Sequence, residues 1–441
     1  MYALINAKIY DYREYIDNGY IVFNQKILDI GHMENYKKID DLIEINCFGK
    51  LIIPGFVTGH THLYSTFARG LSLPIDPKNF LDILKQMWWK IDHFLDLDMI
   101  YYSALMGGID QLLNGTTTLI DHHASFTISH SLDKIKKALV DHLGLRAILA
   151  FETSDRFDIE ESIKENLSFI SNHQSENISG LFGMHASLSL SDHSLSSIKD
   201  QLDGHGIHIH VAESLQDEEE CIENYKMRVV ERLDYFNLIN EKSLLVHCTH
   251  INEEEMDIIK KRNATIAINP TSNLNNAVGI SNVKKFLNKG IKVIIGNDGL
   301  TPSQPYEYMN TLYLSHLKGE SLVAFGLDDI KQLIINTYEY TNHRLSTNLG
   351  CFKKNAEADL LVVPYKPYTP MNKDNIFGHI FYGIYPGFKP EKVFANGQLL
   401  VDHYSLNYMH KEDIEEANRQ SKKLWSILEK EGKNYESKNK F

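Results

Sequence analysis

The chain opens and closes on short apolar runs broken by turns, and its long middle alternates such runs with amphipathic stretches. Near the start, Tyr2 to Tyr10, Gly19 to Asn24, Ile27 to Ile30 and Ile43 to Cys47 predict strands. From Leu51 the texture changes. Apolar runs of strand length lie at Leu51–Val57, Thr117–Ile120, Leu145–Phe151, Gly180–Met184, Ile207–Val211, Ser243–Val246, Thr265–Ile268 and Ile291–Ile295. Helical periodicity falls between them, at Phe80 to Phe94, Met99–Leu113, Leu132–His142, Ile159–Ser171, Glu218–Phe236, Glu253–Arg262 and Val283–Asn288. Met87, Trp88 and Trp89, within the first of these, read as core packing. Strand patterns return at Ala358–Val363 and Lys392–Leu400. A charged helical tail runs from about His410 and is expected to fray over Asn434 to Phe441.

Strands alternating with helices predict an α/β fold in which eight parallel strands close into a (β/α)8 TIM-like barrel over residues 53–355. The β-rich segments 1–52 and 356–405 are expected to pair as one small β-sandwich domain, with 406–441 as a C-terminal helical tail. In such a barrel the chemistry sits at the carboxyl ends of the strands. There the sequence places His60 and His62, Asp121-His122-His123, Glu152, His185, His210 with Glu213, His247, Asn269 and Asp298, in strand order. Capping or core hydrogen bonding explains one or two of these. It does not explain one at every strand end. His60 and His62 alternate along a strand and so point the same way, and two imidazoles on one face make half of a zinc site.

Composition narrows the partners. With 43% hydrophobic and 23% charged residues over 441 positions, the chain reads as soluble and globular. Its net charge of −13 argues against a nucleic-acid surface, which needs a basic field. No run approaches the roughly 18–20 apolar residues that cross a membrane, and the N-terminus lacks the pattern of a signal peptide. Cys47, Cys221, Cys248 and Cys351 form no CxxC pair and are expected to be buried, reduced thiols of a cytoplasmic protein.

Five segments, in order, carry a resemblance: Pro54-Gly55-Phe56-Val57-Thr58-Gly59-His60-Thr61-His62-Leu63 and its continuation to Gly70, Asp121-His122-His123-Ala124-Ser125, His208-Ile209-His210-Val211-Ala212-Glu213-Ser214, Asn269-Pro270-Thr271-Ser272-Asn273 running to Gly279, and Asn297-Asp298-Gly299. Together they make the chain resemble the amidohydrolase superfamily, in its mononuclear aminohydrolase branch with guanine deaminase, adenosylhomocysteine-type deaminases, triazine hydrolases and the SsnA-type aminohydrolases. The resemblance spans residues 1 to about 405.

It implies that His60, His62, His210 and Asp298 ligate one divalent metal ion, zinc, with iron as the alternative these donors accept. His208 competes with His210 for its place, and His210 is preferred because the family sets the ligand three residues before the glutamate. The binuclear branch needs a lysine at the end of strand four, where Gly183-Met184-His185-Ala186-Ser187 has none, so one metal is expected. By the same resemblance Asp298 takes the water's proton, Glu213 exchanges a proton with a ring nitrogen, and His247, with His250 as rival, stabilises oxygen charge or orients the water. Glu213 lies an odd number of residues beyond His210, so it reaches the same space only if the chain turns at the strand end. His185, and after it Arg69, Asp121, His122 and His123, are the expected substrate contacts. Each of the last four has an alternative as support behind the ligands. Asn273 is expected to shape the loop after strand seven. The family's glycine before Ala358-Asp359-Leu360 is missing from Lys354-Asn355-Ala356-Glu357.

The function implied is hydrolysis of a C–N bond in a purine, pteridine, pyrimidine or triazine-like heterocycle, with release of ammonia. Opening of a cyclic amide or imide is the alternative within the class, and a silent amidohydrolase fold used for binding the alternative outside it. The partner is a small-molecule heterocycle, with no nucleic acid and no membrane, and the resemblance implies a homo-oligomer, a dimer.

Overall fold

The computed structural model describes residues 1–38, 40–407 and 410–438, the side chains of 432–438 excepted. The first strands are β1 (Tyr2–Tyr10), β2 (Tyr15–Phe23), β3 (Ile27–His32), β4 (Ile43–Asn46) and β5 (Leu51–Pro54). After Gly55 the chain enters a parallel sheet of β6 (Phe56–Thr61), β7 (Thr116–His123), β8 (Arg146–Phe151) and β9 (Ile178–Gly180), in that order. A second parallel sheet follows, of β10 (Phe182–Ala186), β11 (Ile207–Val211), β12 (Leu244–His247), β13 (Thr265–Ile268) and β14 (Lys292–Ile295). Finally β15 (Leu360–Val363), β16 (Lys392–Ala395), β17 (Gln398–Asp402) and β18 (Ser405–Leu406) return to the first sheet, where β15 pairs antiparallel with β5, Leu361 opposite Ile53. Both ends of the chain therefore share a nine-stranded sheet, and its core joins Leu4, Ile21 and Ile52 to Leu360 and Phe394.

The two parallel sheets meet at both edges. The Leu181 N–H donates to Leu149 O and Thr153 pairs with Met184 on one side, while the Asn297 N–H donates to His60 O at 2.9 Å on the other. One apolar cluster, including Ile120, Ile148, Leu244, Ala267 and Ile294, draws on strands of both. At the β6–β14 edge glycine is required: a Cβ on Gly296 would stand 2.6 Å from His60 O.

Each apolar run of the middle is found as strand, with instructive breaks. The run Leu51–Val57 splits at Gly55, its first half joining the terminal sheet and its second the parallel one. The run Lys392–Leu400 is a hairpin, because Asn396 (φ +51) and Gly397 (φ +70) take the left-handed pair that a tight two-residue turn demands. Asn355 stands with φ +68 where the family glycine is missing, and asparagine tolerates that conformation better than other side chains. The predicted helix Glu218–Phe236 breaks into Leu215–Tyr225 and Val229–Tyr235 at left-handed Lys226. Cys351 is only half-buried, whereas the other three cysteines are buried as expected. Among the described residues no helix is long and apolar enough to cross a membrane.

Helix ends follow local chemistry. Helix Glu253–Arg262 begins on an Asn252–Glu255 capping box with three acids in its first turn, ends with three basic residues, and stops at left-handed Asn263. The tail forms helix Lys411–Lys438, burying Ala417, Leu424 and Leu428 against the helix Leu97–Leu113 side; Asn439 to Phe441, the end of the predicted fraying, lie outside the described residues.

The terminal sheet is fastened to the middle by charge. Arg146, fully buried at the start of β8, donates through Nη1 to both Asp359 oxygens at 2.6 Å and through Nη2 to Glu357 at 3.3 Å. Arg146→Ala will leave two buried carboxylates short of a partner and should cost about 3–5 kcal/mol, read as a lower denaturant midpoint.

Candidate active site

Strand ends deliver the site's side chains, several through strained turns. His60 belongs to β6 and His62 follows it, while His210 is the fourth residue of β11. Ala212 then turns left-handed (φ +45), and this brings Glu213 round to the cavity side. His247 (φ +67) and Asp298 (φ +56) are likewise left-handed. Non-glycine residues in that region cost about 1–3 kcal/mol each, so a cluster of them marks positions held for function.

Four atoms converge. Asp298 Oδ1 is 3.0 Å from His60 Nε2 and 3.1 Å from His62 Nε2, which is itself 3.1 Å from His210 Nε2. His62 Nδ1 lies 2.6 Å from the carbonyl of His122, and His210 Nδ1 lies 2.9 Å from that of His185. A carbonyl oxygen only accepts, so in both rings Nδ1 carries a proton and Nε2 is the nitrogen that is bare in the neutral ring. Burial lowers the His62 pKa, but the hydrogen bond and charge of Asp298 outweigh it and raise it, so the carboxylate calls for a positive charge opposite it. With a metal ion there, this is the arrangement of metal-ligating histidines whose outer nitrogen is tied to a carbonyl. The donor chemistry of His60, His62, His210 and Asp298 fits a divalent ion, and His247 stands close enough to His60, His210 and Asp298 to count among them. His208 sits behind, buried, with Nε2 2.8 Å from His60 Nδ1.

Charge states separate around this point. Burial pushes the His60 imidazole down to about 4, partly opposed by Asp298. Asp298 is held well below the carboxylate range: burial opposes this, and the facing rings of His247, His60 and His62 prevail. Glu213 moves the other way, well above its usual range, through burial first and the charge of Asp298 second. One acid is ionised and its neighbour protonated, which assigns a base and an acid by environment. His247 Nε2 lies 3.5 Å from Glu213 and 3.8 Å from Asp298, and its Nδ1–H is committed to Asn273 Oδ1 at 2.9 Å. His250 instead places Nε2 2.6 Å from the carbonyl of Val278.

Above these groups opens a cavity of about 850 Å³, lined by His62, His185, His210, Glu213 and Asp298, by Glu152 and Asp92, and by Tyr64, Trp88, Trp89 and Leu300. That volume lies in the range of small-molecule sites. His185 reaches it, as does Arg69, which is mostly exposed and paired with Asp110 at 2.6 Å. Asp121, His122 and His123 do not line it. Asp121, raised to about 7 by burial, accepts the Leu63 N–H at 2.8 Å. His122 faces the carbonyls of Met184 and His208 through Nε2, and His123 faces the Ser125 hydroxyl. Asp121 and His122 brace the turn and ring of His62, and His123 packs edge-on against Tyr64. Met87, Trp88 and Trp89, expected in the core, all line the cavity, Met87 and Trp88 packing against the core as well, on a helix whose Leu84–Trp88 turn is widened to π geometry, as is frequent beside functional sites. Glu152 also belongs to the lining, and its place at a strand end was the signal for it.

The tail helix reaches the site as well. The Trp425 indole N–H donates to the carbonyl of Phe67 at 2.7 Å, in the turn that follows His62. Trp425→Phe keeps a six-membered aromatic ring but removes that bond and the fused pyrrole, and is expected to lower stability by at least about 0.5–1.5 kcal/mol in chemical denaturation.

Residues 51–400 match the Amidohydrolase family, and the chain belongs to it. It is similar to 5-methylthioadenosine/S-adenosylhomocysteine deaminase of Thermococcus sibiricus, 29% identical over 393 residues (83% of this chain, 89% of the relative). It is also similar to 5'-deoxyadenosine deaminase of Methanococcus maripaludis, 30% identical over 398 residues (86% and 88%). Among solved structures, an adenosine deaminase from Xanthomonas campestris with bound zinc shares the fold at a TM-score of 0.83 and 17% identity, over 96% of this chain and 98% of that one.

Proposed function

We propose that this chain is a metal-dependent aminohydrolase that replaces the exocyclic amine of a nitrogen heterocycle with oxygen and releases ammonia, with 6-aminopurine nucleosides as its first candidate substrates. The observation that carries this is the convergence of the His62 and His210 Nε2 atoms on the Asp298 carboxylate, with Glu213 lining the same cavity and its pKa raised by burial. The names of the relatives support the purine choice. In this reading β9 and β10, separated only by Leu181, are one strand passing from sheet to sheet, and the two parallel sheets close as one eight-stranded barrel over residues 53–355. Segments 1–52 and 356–405 form a small β-sandwich domain and 406–441 a helical tail, in a cytoplasmic protein that assembles as a homodimer.

His60, His62, His210 and Asp298 would hold the ion, zinc by preference and iron as the alternative. A bound ion supplies a water whose pKa falls from 15.7 to about 7, so a nucleophile exists at neutral pH. Asp298 receives the proton of the attacking water and passes it toward the leaving amine. Its Oδ2, accepting from the Ser272 hydroxyl at 2.5 Å, keeps the carboxylate oriented for that task. Glu213 donates its proton to the ring nitrogen beside the attacked carbon, which keeps negative charge off the ring. His247 orients the water through its bare Nε2. His185 and the Trp88–Trp89 wall hold the heterocycle, Arg69 stands at the rim, and Asp121 and His122 keep His62 in place.

Zinc-loaded protein incubated with 5'-deoxyadenosine or 5'-methylthioadenosine should release ammonia while the product keeps a purine ultraviolet band. Loss of the band would favour ring opening. No ammonia from purine, pteridine or pyrimidine amines by metal-loaded protein would overturn the proposal.

A further inference from the structure

One wall of the cavity offers hydrogen-bond acceptors with nothing to accept from. Glu152 is 4% exposed, lines the cavity, and has as its nearest charged-group contact His122 Nδ1 at 3.7 Å, beyond hydrogen-bonding distance. That nitrogen is itself buried and unpartnered, and because His122 Nε2 donates to two carbonyls, Nδ1 carries a lone pair. His185 adds another acceptor. Its Nδ1 is 2.6 Å from the Ser189 hydroxyl, whose own proton goes to Ala186 O, so the ring proton is on Nδ1 and Nε2 is bare. Asp92 Oδ1, in the same lining, is also buried without a partner.

The nearby cation forms no ion pair with Glu152. Arg156 bonds Asp92 through Nη2 at 2.5 Å and stacks 4.6 Å from the Trp89 ring centre, with its Nε and Nη1 buried and unpartnered. A carboxylate that lines a cavity with no hydrogen bond from the protein is open to a ligand that brings N–H donors. Acid–base machinery does not require this group: Glu213 and Asp298 already supply a proton donor and a base.

We propose that Glu152 is a specificity-determining residue: its carboxylate, with His185 Nε2, accepts hydrogen bonds from an amino, amidinium or ring N–H edge of the heterocycle. An adenine carried on a sugar has no N–H besides the amine that leaves, so within the aminohydrolase reading this subsite places heterocycles with a second amine or a ring N–H, such as a diaminopurine or a pterin, ahead of the adenine nucleosides. As a statement about substrate this rests on the aminohydrolase reading, but the subsite is testable without turnover.

Benzamidine and benzamide share a shape and differ in charge and donor count. Titrated calorimetrically into the zinc-loaded full-length protein, benzamidine should bind at least about tenfold more tightly than benzamide, the gain of a charge-assisted pair. In Glu152→Gln, which presents an amide of the same shape, the preference should fall to within about twofold with zinc content unchanged. Equal affinity for the two probes, a preference that survives in Glu152→Gln, or no benzamidine binding would overturn the proposal. Loss of zinc from Glu152→Gln would overturn it too, by assigning Glu152 to bracing His122 and His62. A Glu152-dependent preference in a protein that releases no ammonia would keep the subsite and remove the aminohydrolase reading.

Discussion

Replacing His60 and His62 together with alanine will strip the chain of bound metal and reduce ammonia release to background. Each ring is aimed by a group behind it, His60 by His208 and His62 by the carbonyl of His122. Removing both leaves only His210 Nε2 and Asp298 of the four donors, too few to close a tetrahedral site. Elemental mass spectrometry should find about one zinc or iron per native chain and none in the variant. Because His60 is fully buried, circular dichroism and a thermal melt must accompany the assay to show the variant folded. A folded variant that keeps its metal would sink the assignment of these ligands.

Glu213→Gln should leave the metal in place and lower kcat by about 10²–10⁴-fold, the range expected when a positioned proton donor is lost. The pH profile gives the sharper test. Burial and the Asp298 charge raise the Glu213 pKa, so the protonated, donating form prevails below that raised value and is lost as pH climbs through it. Native activity should accordingly decline on the alkaline side, and the glutamine variant, which has no such group to titrate, should lack that limb. If the limb persists in the variant, another residue supplies the proton.

The strand ends were the most legible part of the sequence. Each apolar run of the parallel sheets is short, bounded and followed by a polar residue, so the pattern alone placed His60, His62, His185, His210, His247 and Asp298 together at one end. Asn396-Gly397 between apolar runs is a hairpin turn by composition, so Lys392–Leu400 is two strands and not one. Two long helices, Gln304–Gly319 and Leu327–Leu345, follow the last parallel strand, beyond those the periodicity predicts. The Trp88–Trp89 pair was beyond reach, because helical spacing shows which residues share a face but not whether that face meets a core or a cavity.

By itself the sequence determined the periodicities, the caps, the turns at Gly55 and Asn396-Gly397, and the set of residue types able to bind a metal. These depend on neighbours a few positions away. Tertiary structure alone decided that β5 pairs with β15 across the length of the chain, that left-handed Ala212 swings Glu213 into the cavity, and that Asp121, His122 and His123 stand behind the site. It also decided which nitrogen of each imidazole is bare, since the carbonyls that fix the His62 and His210 protons come from β7 and β10. Proton position follows from what a ring faces, and facing partners distant in the chain are set by packing.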